Sequence, residues 1–104
     1  MRIISQDGTI DVTYENADLE RKGTTISVWT LDNVYGSFAR YSTEEKSIKA
    51  MEMCREQYAQ SELNKDMIQK AADTLSKISV SVIDDVRKQL AEKYLFQFPA
   101  DDEI

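Results

Sequence analysis

The clearest pattern in the chain is a run of apolar residues at helical spacing in residues 41–60. Ile48, Met51, Cys54 and Tyr58 recur at intervals of three and four, which places them on one face of a helix. An amphipathic helix of this kind usually buries its apolar face. We therefore expect this helix to cover the core, with its two methionines as core residues rather than as an adaptable binding surface.

The start of this helix is also encoded. Ser42 or Thr43 can act as the N-cap, and Glu45 follows Ser42 by three residues, the spacing of a capping box. Glu44 and Glu45 would lie at the positive end of the helix dipole. Glu45 and Lys49 are one turn apart, so we expect an ion pair between them.

The first forty residues show the alternation of strands. Residues 2–5 are rich in β-formers, residues 6–9 contain an Asp-Gly pair, and residues 10–14 alternate apolar and polar side chains. This pattern predicts a hairpin over residues 1–15 with an acidic outer face. Residues 16–19 fit no element clearly.

A second β-rich region follows a turn around Gly23, predicted over residues 20–25. Residues 25–31 alternate with bulky side chains on both faces, which is typical of a central strand. Trp29 is expected in the core or between sheet and helix, although a ligand-stacking role is the alternative. A turn then leads to a strand over residues 37–41.

The second half of the chain is less regular. Residues 61–64 suggest a break, after which a second helix is expected to about residue 93, kinked near residues 79–81. The alternative is two helices separated by a short strand at residues 78–82. Residues 94–98 carry alternating aromatics and predict a final strand, which Pro99 ends.

Together these elements predict one α+β domain over residues 1–104, with an acidic tail at residues 100–104 that is solvated and partly frayed. The expected architecture is an antiparallel sheet of about four to five strands, with two helices packed on one face.

The net charge of the chain limits the kinds of partner that it can bind. The chain has 19 acidic and 13 basic residues and a formal charge of −6. This balance argues against direct binding to nucleic acid or to an anionic membrane, and it favours either solubility alone or a partner with a basic surface. No apolar run approaches the length of a membrane span, and the N-terminus does not resemble a signal peptide, so we expect a cytoplasmic protein.

The usual catalytic residue types are scarce. There is no histidine, the single cysteine cannot form an internal disulfide, and the three glycines are far apart. We therefore expect no enzyme activity, no cofactor and no metal site. Cys54, on the apolar helix face without a histidine partner, is expected to be a buried small residue.

Three stretches carry a resemblance to a known group. They are MRIISQDGTIDV at the N-terminus, YSTEEKSIKAMEMCREQY in the first helix and FPADDEI at the end. The chain resembles small proteins of phages and prophages of Gram-positive bacteria that open with MRIISQDGTID. Residues 61–93 do not match the group, and Thr13 stands where its members often have proline. The resemblance implies an origin in a mobile element, but the group has no common activity.

Our first functional hypothesis is a phage counter-defence protein, acting in the host cytoplasm, that binds and inhibits a host immune protein such as a CRISPR nuclease. Carboxylates would take the place of phosphates against a basic groove. The candidate partner-binding residues are Asp84, Asp85, Asp101, Asp102 and Glu103, with Asp7, Asp11 and Glu15 as a second cluster. The competing interpretation is that these acids only keep the surface solvated.

Two alternatives remain. The protein could sequester a nucleotide-type immune signal, with Arg21, Arg40 or Arg55 binding phosphate and Trp29 or a tyrosine stacking on the base. It could also be a structural or accessory phage protein that self-associates. The sequence leaves the oligomeric state open, a homodimer included.

Overall fold

The computed structural model describes residues 1–75 and 95–104, with side chains described for residues 1–63 and 95–104. The described residues form the α+β fold that the sequence predicts. They contain six strands and one helix, and the strands make two three-stranded sheets instead of one sheet of four to five strands. The elements are β1 (Arg2–Ile4), β2 (Asp11–Thr13), β3 (Asp18–Lys22), β4 (Thr25–Trp29), β5 (Val34–Arg40), α1 (Glu44–Leu75) and β6 (Leu95–Gln97).

The first sheet has the strand order β2-β1-β6. The predicted N-terminal hairpin is confirmed: β1 and β2 pair antiparallel, and Gly8 in their connection has a φ of +79°. That backbone conformation is accessible to glycine without a steric cost. β6 pairs with β1 in parallel, with Ile3 opposite Phe96, so the prediction of an all-antiparallel sheet is wrong.

The second sheet has the order β3-β4-β5, and β4 is its central strand, as predicted. β3 was not predicted. The three residues that follow Leu19 in this strand all carry long charged side chains, and residues 20–25 resemble a turn. The turn is only Gly23 and Thr24, since Lys22 and Thr25 are already paired. Gly23 has a φ of +62°, which suits the first position of a two-residue hairpin loop.

β5 also begins earlier than expected, at Val34 instead of Ser37. Gly36 lies inside the strand, where the pairing with β4 shifts register between Ile26 and Val28. Its carbonyl accepts a hydrogen bond from the Ser27 hydroxyl at 3.0 Å. Glycine inside a strand often marks such an irregularity. In the sequence alone, Gly36 resembles the end of a turn.

Helix α1 starts with a cap that the sequence predicts in part. Thr43 is the cap, because its hydroxyl accepts a hydrogen bond from the Lys46 amide at 3.2 Å. The position three residues after this cap is Lys46, so the predicted capping box of Ser42 with Glu45 does not form. Glu45 and Lys49 do not form the predicted ion pair either.

The predicted helix break at residues 61–64 is wrong, because α1 continues through these residues to Leu75. Ser61 is buried, and its hydroxyl donates to the Tyr58 carbonyl at 2.8 Å. A serine that bonds to the preceding turn is compatible with a helix interior. The rest of the predicted second helix, including the choice between helix and strand at residues 78–82, lies outside the described residues.

One apolar core joins both sheets and the helix. The predicted apolar face of α1 is confirmed for Met51 and Cys54, which are buried, whereas Ile48 is 39% exposed. Burial raises the pKa of the Cys54 thiol to about 12, which leaves it in the unreactive protonated form. The buried apolar residues of the core are Met1, Ile3, Ile26, Val28, Phe38, Ala39, Tyr41, Ala50, Met51, Cys54, Phe96 and Phe98.

The loop after β1 connects the two sheets through Gln6. The backbone amide of Gln6 donates to the Phe38 carbonyl at 3.0 Å, and its side-chain oxygen accepts from the backbone amide of Arg40 at 2.9 Å. Its side-chain nitrogen reaches the Pro99 carbonyl at 3.2 Å, and the Tyr41 hydroxyl donates to the same carbonyl at 2.9 Å. One glutamine therefore holds β5 and the C-terminal segment together.

Candidate functional site

The acidic tail is built into the fold instead of being frayed, which corrects the sequence prediction. Residues 101–103 form a 3-10 turn, and Asp101 accepts a hydrogen bond from the Ser42 amide at 2.6 Å. Its carboxylate also lies 3.3 Å from the Lys46 ammonium. The Ser42 amide is the main cause of the lowered pKa of Asp101. Asp101 thus places a negative charge at the start of α1, where the helix dipole favours it.

We expect Asp101→Ala to lower the melting temperature by several degrees, because the substitution leaves the Ser42 amide without its acceptor. It also removes the carboxylate beside Lys46, whose ammonium keeps only its bond to the backbone carbonyl of residue 101. Asp102→Ala is the matched control. Asp102 is exposed and makes no hydrogen bond or ion pair with another described residue, so its removal should leave stability unchanged. Thermal unfolding followed by circular dichroism measures both. Equal melting temperatures for the two variants would contradict the structural role of Asp101.

The N-terminal acids also have partners within the chain. One oxygen of Asp7 accepts hydrogen bonds from the Ser5 hydroxyl at 2.7 Å and from the Thr9 amide and hydroxyl at 3.0 and 2.7 Å. Asp11 pairs with Arg2 at 2.7 Å, and Glu15 pairs with the N-terminal amine. In the tail, the Glu103 carboxylate accepts from the Ala100 amide at 3.1 Å.

Because of Asp7, we expect the stability of the protein to depend on pH. Its hydrogen bonds, that from Ser5 foremost, lower its pKa from 3.8 to about 2. The folded state therefore favours the ionised form. The resulting stabilisation is complete above the unfolded-state pKa of 3.8 and is lost as the pH falls towards about 2.

We expect Asp7→Asn to be less stable than the wild type at neutral pH, and the difference in the free energy of unfolding between the two to close near pH 2. Urea unfolding across this range tests it; a gap independent of pH would contradict it.

Most of the predicted partner-binding acids that the structure describes are therefore bonded within the chain. Asp84 and Asp85 lie outside the described residues. Of the six others, only Asp102 has no hydrogen bond or ion pair to the described part of the chain. The carboxylates of the other five hold the turns, the β1–β2 hairpin and the start of α1.

Among the residues whose side chains are described, the most prominent exposed apolar feature is the end of the β4–β5 hairpin. We call Trp29, Leu31 and Val34 the hairpin tip. Their exposed fractions are 46%, 101% and 54%, so the expectation of a buried Trp29 is wrong. The core is on the other face of β4, where Ile26 and Val28 are fully buried.

The hairpin tip is held in a defined shape. Trp29 and Val34 are directly opposite each other in the antiparallel pair, so their side chains share one face. The Thr30 amide donates to the Asn33 carbonyl at 2.8 Å, and the Asn33 amide donates back to the Thr30 hydroxyl at 3.1 Å. These bonds present Leu31 at the outermost point of the turn.

Acidic residues flank this apolar surface. Asp18 on β3 is opposite Trp29, so it extends the row of Trp29 and Val34 across the sheet. Asp32 lies in the turn next to Leu31, and both acids are exposed. The tip therefore combines an apolar centre with negative charge at its border.

A second feature is a groove between β3 and α1, which we call the edge groove. It comprises two adjoining cavities of about 230 and 450 Å³ that share Leu19, Met51 and Arg55. Arg21 lines the larger one and Tyr14 the smaller one. The further lining residues are Ala17, Asp18, Glu20, Ile48 and Cys54.

Nucleotide binding would require arginines and an aromatic side chain to lie together in the edge groove. Arg21 and Arg55 do converge on it, but Arg40 lies on β5, where its guanidinium contacts the Ser37 hydroxyl at 3.3 Å. Arg21 is already bonded to Glu44 at 3.2 Å. Trp29 does not line the groove.

Tyr14, the aromatic side chain in the groove, is also engaged. Its ring packs on Tyr58, with the centroids 4.4 Å apart, and burial raises the pKa of its hydroxyl.

Sequence reasoning did not identify the hairpin tip as a surface. One signal was present: residues 29–34 place three apolar side chains around an Asp-Asn turn, a region that is usually polar. Alternation alone could not show which face of β4 is covered, because both faces carry large side chains.

Among the described residues, no group of three cysteine, aspartate or glutamate side chains could hold a metal ion, and no helix is long and apolar enough to cross a membrane. Comparison of the chain with family models, with curated proteins and with solved structures gives no match.

Proposed function

We propose that this protein acts by binding another protein through the hairpin tip. The observation that carries the proposal is the exposure of Trp29, Leu31 and Val34 on one well-defined turn. Contiguous exposed apolar side chains are uncommon on proteins that bind nothing, and tryptophan is among the residues most enriched at the centre of protein interfaces.

The charges around the tip indicate the kind of partner. Asp18 and Asp32 border the apolar centre, and the whole chain carries a charge of −6. A complementary surface would offer an apolar pocket with lysine or arginine at its rim. The net charge would also accelerate the encounter with such a surface at low salt.

The resemblance to phage proteins suggests the biological setting. A small acidic protein from a mobile element that binds a basic protein surface fits the role of a counter-defence protein, with a host immune protein such as a CRISPR nuclease as its partner. Mimicry of nucleic acid by the tail and N-terminal acids contributes less to this proposal, because Asp101, Asp7 and Asp11 already have partners within the chain.

A binding experiment with purified host defence proteins, with and without their guide or DNA, tests the proposal. The bait is the wild-type chain or a variant with Trp29→Ser, Leu31→Ser and Val34→Thr. Leu63→Ser is the matched control, since Leu63 is equally apolar and 60% exposed but lies on α1. We expect the triple variant to lose binding and the control to retain it. Retention of binding by the triple variant would refute the proposal.

The salt dependence separates the apolar and the acidic contributions. Interaction through the tip should persist between about 50 and 200 mM salt with a moderate loss of affinity, because salt screens only the charged border. A collapse of binding over this range would indicate that acidic mimicry dominates instead.

Sequestration of a nucleotide-type signal is the second candidate, and the convergence of Arg21 and Arg55 on the edge groove favours it. Arg21 is already paired with Glu44, however, which leaves Arg55 as the arginine in the groove that is available to a phosphate. A thermal-shift panel of signalling nucleotides tests this candidate. A shift that Arg55→Ala removes would support it, and no shift across the panel would exclude it.

A further inference from the structure

We propose that the open edge of β3 accepts an extended peptide as an additional strand, with alternate side chains of the peptide in the edge groove. This surface is separate from the hairpin tip. The proposal rests on the pairing of β3, on the position of α1 beside it, and on the charges that β3 presents on its two faces.

β3 is an edge strand among the described residues. Lys22 and Thr25 close a two-residue loop, so they form a hydrogen-bonded pair, and such pairs alternate along an antiparallel ladder. Glu20 consequently bonds to β4, whereas Leu19 and Arg21 direct their backbone N–H and C=O groups away from it. In the described part of the chain, these groups meet no other hydrogen-bonding partner.

The helix makes this edge different from a bare strand. Ile48, Met51 and Arg55 of α1 run alongside Leu19 and Arg21, and the groove between them is open to solvent. A strand edge next to a helix is the arrangement by which several peptide-binding domains hold an extended ligand. Backbone hydrogen bonds then supply affinity, and the groove selects every second side chain. The five residues of β3 offer an edge of about 17 Å.

The charges on β3 define the ligand. On the helix side, two arginines lie beside apolar Leu19 and Ile48. Arg21 is paired with Glu44, whereas Arg55 makes no ion pair with another described residue. On the outer side, Glu20 is exposed, as is Asp18. The complementary strand therefore carries apolar and acidic side chains towards the groove and basic side chains outward.

The peptide acetyl-Lys-Val-Lys-Glu-Lys-Val-amide has this pattern and serves as the probe. A peptide of the same composition and charge without alternation, acetyl-Lys-Lys-Lys-Val-Val-Glu-amide, is the control for general attraction to an acidic protein. Amide resonances of the full chain are followed by NMR during titration. We expect the probe to slow hydrogen exchange at the Leu19 and Arg21 amides and to leave that of Glu20 unchanged. The control peptide should have neither effect.

A charge reversal in the groove sharpens the test. Arg55→Glu should weaken the probe about tenfold although it makes the protein more acidic, whereas Arg40→Glu, on β5 and outside the groove, should not. The proposal is overturned if the Leu19 and Arg21 amides are already protected in the free chain. It is also overturned if the two peptides act alike, or if Arg55→Glu leaves the affinity unchanged.

Discussion

Truncation of Phe98 to alanine is expected to lower the free energy of unfolding by about 3–5 kcal/mol, which is a large part of the stability of a typical domain. The side chain is 1% exposed. Its ring meets Phe38 and Phe96 edge to face, with centroids 5.6 and 5.1 Å away. Phe38 belongs to the second sheet and Phe96 to the first, so the substitution opens a cavity where the two sheets meet.

Leu95→Ala is the matched control for Phe98→Ala, because Leu95 lies three residues earlier, at the start of β6, but is 46% exposed. It should cost less than about 1 kcal/mol. Phe98→Leu should fall between the two and remains measurable if the alanine variant does not fold. Urea unfolding of the three variants provides the comparison. Equal costs at residues 95 and 98 would contradict the view that the C-terminal segment completes the core.

Replacement of Trp29 by alanine is expected to weaken binding to the partner protein by about 2–4 kcal/mol, or roughly 30- to 1,000-fold in Kd. The reason is the loss of the largest apolar side chain on the hairpin tip. Stability should change by less than about 1 kcal/mol, because Trp29 is half exposed and its partners on the neighbouring strands, Val34 and Asp18, are exposed as well.

Calorimetric titration of the partner identified by the binding experiment measures the effect of Trp29→Ala. Leu63→Ala removes another exposed apolar side chain, outside the tip, and should leave the affinity unchanged. A loss of affinity common to both variants would point to a general apolar effect. An unchanged affinity for Trp29→Ala would remove the tip from the interface.

Local signals in the sequence predicted several elements correctly. The Asp-Gly turn marked the first hairpin, and the aromatic alternation marked β6. The helix start was predicted to within a few residues. Each of these features is decided by neighbouring residues, through turn conformation, capping or periodicity.

The errors arose where distant residues decide the outcome. The parallel pairing of β6 with β1 joins residues more than ninety positions apart, and no local pattern encodes it. β3 carries charged side chains that suit an edge strand, yet the same residues resemble a turn. Ser61 suggested a helix break, but its hydroxyl bonds within the helix.

The candidate site shows the same limit. The acids were candidates for a partner-binding surface, and the sequence does not show that Asp101 meets Ser42 or that Arg2 meets Asp11. Trp29 looked like a core residue because large apolar side chains usually are buried. The sequence provided the residue types, and tertiary contacts decided which of them remain available to a partner.

The most direct test of binding through the hairpin tip follows Trp29 itself. It is the only tryptophan in the chain, so 5-fluorotryptophan labelling gives a single fluorine resonance that reports on this side chain alone. On titration with the partner protein, we predict that this resonance shifts and loses its sensitivity to solvent isotope as the ring is buried. Formation of the complex with the resonance unmoved and still solvent-exposed would contradict the account.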